Sequence, residues 1–166
     1  LATLSVVNNL PANALTAVQV LTVASRTMAL RADGNVYAWG NYVSPVHGGY
    51  QNGGTPAYRP TLVQGLSPIK QVAIGSDYAS WALGQDGTVW GWGFLNSYDA
   101  FAQGPSDNTL QFFTPVRLLT AANTPIDRVC QIEGTIYGVV MLRSDVVGGT
   151  CAANEPRSVW YTANIT

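Results

Sequence analysis

The chain has 166 residues, room for one domain with a sizeable core, and its hydrophobic fraction of 47% is that of a globular protein. Charged residues make up only 10%, against roughly 25% in an average soluble domain; Thr, Asn, Ser, Gly and Tyr carry the polarity instead, a balance that suits an exported, extracellular or cell-surface protein. A net charge of −1 offers no footprint for phosphate backbones or anionic lipid, so nucleic acid is excluded as an expected partner.

In chain order, Leu1 to Val7 (LATLSVV) reads as a first short strand and Val18, Leu21 and Val23 as a second. Apolar runs such as Ala17 to Ala24 stop well short of the roughly 20 residues of a membrane-spanning helix. Direct membrane insertion is not expected, and any export signal is expected to lie outside this segment. Thr27 to Gly40 (TMALRADGNVYAWG) is an alternating run, an Asp-Gly pair and another alternating run, which predicts a β-hairpin turning through a two-residue type I′ turn at Asp33-Gly34. A long connection follows, then a strand at Pro60 to Leu66 (PTLVQGL). Ile69, Val72 and Ile74 then repeat Val18, Leu21 and Val23 at an offset of 51, and Ser80 to Gly93 (SWALGQDGTVWGWG) repeats the hairpin at an offset of 53.

After a second long connection, Phe113 to Leu119 (FTPVRLL) repeats Pro60 to Leu66. A worn third copy closes the chain as Ile126 to Gly134, Tyr137 to Asp145 and Arg157 to Asn164, with an excursion, VVGGTCAANEP, in place of the Asp-Gly turn. No helical periodicity competes. The reading is all-β, three four-stranded antiparallel propeller blades: 1–41 as blade 1 with its N-terminal strand, 42–57 as an inter-blade loop, 58–93 as blade 2, 94–112 as an inter-blade loop, and 113–166 as a degenerate blade 3. A blade has two apolar faces and cannot bury them alone, so copies stack around an axis.

Cys130 and Cys151 have no CxxC spacing and one distant histidine, His47, so no metal site is expected. They read either as a disulfide in an exported protein, pinning the excursion to its own sheet, or as two small buried hydrophobes.

The second unit, through Pro60, Val63, Ile69, Val72, Gly75, Ala82, Leu83, Asp86, Gly87, Val89, Trp90, Trp92 and Gly93, resembles the regulator-of-chromosome-condensation repeat family, in a bacterial-type secreted or surface variant. The first unit matches through Ala29, Leu30, Asp33, Gly34, Val36, Tyr37 and Trp39. The resemblance implies a seven-bladed β-propeller of about 350 residues, of which this chain is a segment or an incomplete form, and a scaffold or binding surface rather than a catalyst. The chain departs from the family in both long connections and in lacking the histidine that precedes the Ala-Leu pair.

Asp33 and Asp86 are explained by their turns. Trp39, Trp90, Trp92 and Trp160 read as core more than as sugar platforms. His47 has no nucleophile at a recognisable spacing and no phosphate-loop or dinucleotide fingerprint occurs, so neither catalytic residues nor a cofactor are expected. The candidate binding residues lie in the long connections: Tyr42, His47, Tyr50 and Tyr58 in the first, and Phe94, Tyr98, Phe101 and Phe112 in the second. Rings among Asn, Ser and Gly suit recognition; equally, such rings pack down to order long loops. The functional expectation is a non-enzymatic interaction module whose partner is a protein or copies of itself, with a glycan as a further ligand class. The alternatives are a structural subunit of a surface filament, pilus or adhesin, and a secreted enzyme inhibitor.

Overall fold

A computed structural model of the chain describes residues 17–66, 68–75, 78–94, 101–103 and 111–162. The strands are β1 (Ala17–Val23), β2 (Arg26–Arg31), β3 (Val36–Gly40), β4 (Ala57–Leu62), β5 (Ile69–Ile74), β6 (Ser80–Gly84), β7 (Val89–Phe94), β8 (Gln111–Arg117), β9 (Val129–Gly134), β10 (Val139–Ser144) and β11 (Arg157–Tyr161). They form three antiparallel sheets in the orders β1-β2-β3-β4, β5-β6-β7-β8 and β9-β10-β11, with no helix among the described residues. The strand expected at Leu1 to Val7 lies outside them.

The blades are cut differently from the expectation. The sequence pattern places Pro60 to Leu66 at the opening of blade 2 and makes the connections before it and before Phe113 inter-blade loops, but β4 pairs back onto β3, Tyr37 opposite Leu62 and Ala38 opposite Thr61, so the first connection lies within blade 1. Likewise β8 closes the second sheet through Trp90 opposite Arg117 and Gly91 opposite Val116, leaving three strands in the third sheet among the described residues. Each of these strands carries a proline, Pro60 or Pro115. A residue without an N–H is confined to a sheet edge, and the alternation fits the last strand of one blade as well as the first of the next. Pairing with the preceding hairpin decides it.

The Asp-Gly turns also differ from the two-residue form. Gly34 N–H closes onto the Arg31 carbonyl at 3.0 Å, so Ala32 and Asp33 are the central residues and only Gly34 takes positive φ, at 84°. Asp33 accepts from the Asn35 N–H at 3.0 Å. In the second hairpin Gly87 (φ 82°) closes onto Gly84 at 3.0 Å, and Asp86 accepts from the Thr88 N–H at 3.1 Å. These turns do more than reverse the chain. The Ile69 N–H donates to the Gly34 carbonyl at 3.0 Å and the Val129 N–H to the Gly87 carbonyl at 3.1 Å, so each turn is fastened to the start of the next blade. A Cβ at either glycine would press on that neighbour's backbone.

Of the innermost strands, β5 adjoins β1 and β9. Register corrects the alignment there: Val20, opposite Ala29, matches Val72, opposite Ala82, so Val72 corresponds to Val20 rather than Leu21. Between blades 1 and 2 the seam is filled by Met28, Leu30 and Val36 against Ile69, Val72, Ala82 and Trp92. Between blades 2 and 3 it is filled by Trp81, Leu83 and Val89 against Val129, Ile132, Val139 and Met141. At about 1.5–3 kcal/mol for each fully buried large apolar side chain, these seams are the main cohesion between blades. Of the four tryptophans expected in the core, Trp92 is buried and Trp39 and Trp90 are partly so. Trp160 is exposed under the Arg143 guanidinium, 4.6 Å from its ring centroid. Trp81, which stands in the second unit where the first has Met28, is fully buried.

Cys130 and Cys151 form a disulfide with Cα atoms 5.4 Å apart, tying β9 to the excursion between β10 and β11.

Candidate interaction site

Both long connections begin where a tryptophan-glycine pair ends a hairpin. Gly40 and Gly93 stand at φ 106° and 112°, where a side chain would run into the carbonyls of Ser25 and Tyr78, so the chain leaves β3 and β7 along a path open only to glycine.

The first connection folds back as a small hairpin, bridged between Val43 and Tyr50. Ser44 N–H donates to the Gly49 carbonyl at 2.9 Å, and Gly48 N–H to the Ser44 carbonyl at 3.0 Å. His47 works inside this loop: its Nδ1 accepts from the Gly49 N–H at 3.1 Å and its carbonyl accepts from the Gln64 N–H at 3.1 Å. It is a half-buried loop organiser.

Tyr50 is the hub. Its N–H donates to the Phe113 carbonyl at 2.9 Å, and its buried ring lies 5.9 Å from Phe113, 6.4 Å from Tyr78, and 6.5 Å from both Tyr42 and Phe94. Burial, then the neighbouring Tyr42, push its phenol above the ordinary tyrosine value. Arg26, buried beneath the cluster, reaches from blade 1 to blade 2, donating from Nη1 to Ser80 Oγ at 3.0 Å and from Nη2 to the Ala79 carbonyl at 2.6 Å.

The candidates from sequence therefore separate. Tyr50 and Phe101 are seam plugs: Phe101 is fully buried, 6.3 Å from Trp81 and 5.4 Å from Phe112. Gly91 leaves room for it where blade 1 has Ala38, since a Cβ there would stand 2.9 Å from the Phe101 ring. Phe94 and Phe112 are half-buried beside the two seams. Tyr58 and Tyr42 are exposed, Tyr58 standing on the outer strand β4. Tyr98 lies outside the described residues.

Tyr42 joins surface to cluster. Held at φ 60°, it packs 4.1 Å from Tyr78 and forms one wall of an open cleft of about 280 Å³ with Asn41, Val43, Gln51, Gly53, Gly54 and Pro56. The cleft offers one ring face, the amide oxygens of Asn41 and Gln51, whose NH2 groups are held by Ser25 and by the Gly53 carbonyl, and loop main chain, a chemistry that recognises extended polypeptide or small polar groups. Tyr78 supports it from the β5–β6 connection. It lies in no long connection and in no repeated motif, so only its position shows its part.

At the opposite end of the strands a second cleft of about 360 Å³ runs between the Asp86-Gly87 turn and the disulfide-tied excursion. Burial raises the Asp86 carboxyl, but hydrogen bonds from Thr88 and the charge of Arg117 outweigh it and hold the group below its usual value. Among the described residues no group of three or more His, Cys, Asp or Glu is placed to hold a metal ion.

No family model and no curated protein matches the chain. Solved structures do. Human WBSCR16 is 23% identical over 76% of this chain and 30% of its own, with a TM-score of 0.60. Prp20p from Saccharomyces cerevisiae, described with its binding to Gsp1p and histones, is 22% identical over 78% of this chain and 31% of its own, at 0.51. Yeast RCC1 (Prp20) bound to Kap60 is 17% identical over 87% of this chain and 32% of its own, at 0.57. The chain thus spans about a third of the length of each. Three sheets joined through their inner strands, each hairpin turn fastened to the next blade, are a partial β-propeller, and the chain has the fold of the RCC1-type proteins.

Proposed function

We propose that this chain is a non-enzymatic protein-binding module that works outside the cell or at its surface, and that its contact surface is the cleft walled by Tyr42. The observation that carries this reading is the five-ring cluster itself. Tyr42 is, with Phe113, an exposed edge of a packed aromatic group, so it presents ring area with little conformational freedom left to lose. The protein partners of Prp20p and yeast RCC1, proteins of the same fold, support a binding role. The disulfide and the low charge support an oxidising, external location.

The test is affinity capture with the native chain and with Tyr42→Ala, from the medium and surface fraction of the source cells. The reading expects a protein retained by the native chain and lost with Tyr42→Ala, the variant remaining folded at the temperature of capture. Equal retention by both removes the Tyr42 cleft as the contact surface. Isolation of the protein with both thiols free removes the external location.

A further inference from the structure

Three pairs of Asp or Asn followed by Gly occur in the chain: Asp33-Gly34, Asn52-Gly53 and Asp86-Gly87. A glycine in that place leaves its amide nitrogen unshielded by a side chain, within reach of the carbonyl carbon of the preceding side chain. The fold treats the three pairs differently. In the two hairpin turns the glycine N–H is committed, Gly34 to the Arg31 carbonyl and Gly87 to the Gly84 carbonyl, both at 3.0 Å. The next blade crowds these turns, with main-chain atoms 3.0 Å from where a glycine side chain would begin. Their carboxylates are also held, accepting from the Asn35 and Thr88 N–H groups.

Asn52-Gly53 has none of these restraints. Both residues are exposed in the β3–β4 connection, and Gly53 and the following Gly54 stand at φ 76° and 82°. Among the described residues neither the Gly53 N–H nor the Asn52 carboxamide has a hydrogen-bond partner. No atom lies within 4 Å of the place a Gly53 side chain would take, so a ring can close there without displacing a neighbour. The other described asparagines, Asn35, Asn41, Asn123 and Asn154, each precede a residue with a side chain. The amides of Asn35 and Asn41 are further held by Asp33 and Ser25.

We propose that Asn52 is a site of spontaneous deamidation, and that its conversion remodels the wall of the Tyr42 cleft. The Gly53 nitrogen gives its proton to hydroxide and bonds to the carbonyl carbon of the Asn52 side chain. The bond from that carbon to Nδ2 breaks, and the nitrogen leaves as ammonia with a proton from water, closing a five-membered imide. Water opens the ring at either carbonyl, giving aspartate or an isoaspartate whose main chain is longer by one carbon. Water is the only co-reactant. Gly53 and Gly54 line the cleft beside Gln51, which braces them: its N–H donates to the Tyr42 carbonyl at 2.9 Å and its Nε2 to the Gly53 carbonyl at 2.6 Å. An added main-chain carbon between Gln51 and Gly53 pushes that carbonyl away from the amide. Both products also place a new negative charge at the cleft mouth, in a chain whose net charge is −1. This chemistry is independent of what the cleft binds.

Peptide mapping by mass spectrometry, on the chain held at neutral and mildly alkaline pH both folded and in urea, tests this. In the folded chain Asn52 converts at least about tenfold faster than the other described asparagines, a barrier lower by about 1.4 kcal/mol. Its rate rises with pH and stays close to its own rate in urea, whereas Asp33 and Asp86 isomerise only in urea. Asn52→Gln, which would need a larger ring, stays unconverted with native circular dichroism, because the side chain is exposed. In the isolated isoaspartate form the Gln51 amide exchanges faster than in the native chain, while the Ser44 amide, bonded to Gly49, keeps its rate. An Asn52 that survives in the folded chain while converting in urea overturns the proposal, as does conversion no faster than that of the other asparagines. Unchanged exchange at Gln51 in the isoaspartate form overturns the remodelling of the cleft.

Discussion

The main chain of Tyr50 is bonded to that of Phe113, N–H to carbonyl at 2.9 Å, with their rings 5.9 Å apart. One residue belongs to the β3–β4 loop within blade 1 and the other to the outer strand of blade 2. A connection that would otherwise cross solvent is thereby built into a seam, with Tyr78 and Phe94 closing the cluster from blade 2. Removing the ring should cost stability rather than binding. Tyr50→Ala is expected to lose about 3–5 kcal/mol, the usual cost of deleting a buried aromatic, whereas Tyr50→Phe, which keeps the ring, loses less than about 1.5 kcal/mol. Urea denaturation of the two variants checks both values. Tyr42→Ala, at an exposed edge, should lower the midpoint by less than Tyr50→Ala does.

Arg26 supplies the polar half of the same joint. Replacing it with Met keeps much of the apolar stem but takes the charged donor from the buried Ser80 hydroxyl and leaves the Ala79 carbonyl only its bond from the Gly75 N–H at 3.1 Å. A hydrogen bond to a charged group contributes about 1.5–3 kcal/mol, and a loss in that range is expected in denaturant titrations. Arg26→Lys should recover only part of it, since an ammonium cannot present two donors in the fixed fork that reaches both acceptors. Full recovery by Lys would mean that charge alone matters there.

The hairpins were legible because their signals are local. Asp33, Gly34, Val36 and Trp39 recur as Asp86, Gly87, Val89 and Trp92, and a short alternating run with a glycine turn folds much the same way in any surroundings. The allegiance of β4 and β8 was not legible, because strand pairing is tertiary and both partitions satisfy the same alternation. The aromatic loops misled in part for a similar reason. Phe101 sits among polar and small neighbours and reads as exposed, yet it fills the seam over Gly91. Tyr78 carries no motif and Trp81 differs from Met28 at its place in the first unit, so their roles follow only from which sheet faces which.

The disulfide should act locally. Cross-linking Cys130 to Cys151 closes a loop spanning 21 positions, for which chain entropy gives about 3 kcal/mol of stabilisation. Reduction, or the Cys130→Ser and Cys151→Ser double variant, is expected to lower stability by that order and to raise amide exchange across residues 145–156. The aromatic end lies at the other ends of the strands and should keep its native tyrosine fluorescence. A reduced protein with unchanged exchange in the excursion would show that hydrogen bonds alone hold it.

Those hydrogen bonds converge on Glu155. Its carboxylate accepts from Ser144 Oγ at 2.7 Å, from the Thr150 N–H at 3.0 Å and from the Cys151 N–H at 2.9 Å. The Ser144 bond first, then the Thr150 amide, with the Cys151 and Ala152 amides adding to them against a smaller opposing effect of burial, bring its pKa from 4.5 down to about 2. A carboxyl depressed on folding stabilises the native state in its ionised form, so this contribution is complete above the ordinary value and fades as pH falls from about 4.5 towards about 2. Carboxyl carbon shifts followed by NMR should place the Glu155 midpoint near 2, and exchange at the Thr150 and Cys151 amides, corrected for intrinsic rates, should rise over the same interval. Glu155→Gln turns an amide donor towards a set of donors and should abolish that pH dependence, with the excursion already loosened at neutral pH. A midpoint near the ordinary glutamate value would mean that the excursion is held by Cys130–Cys151 without the help of its carboxylate.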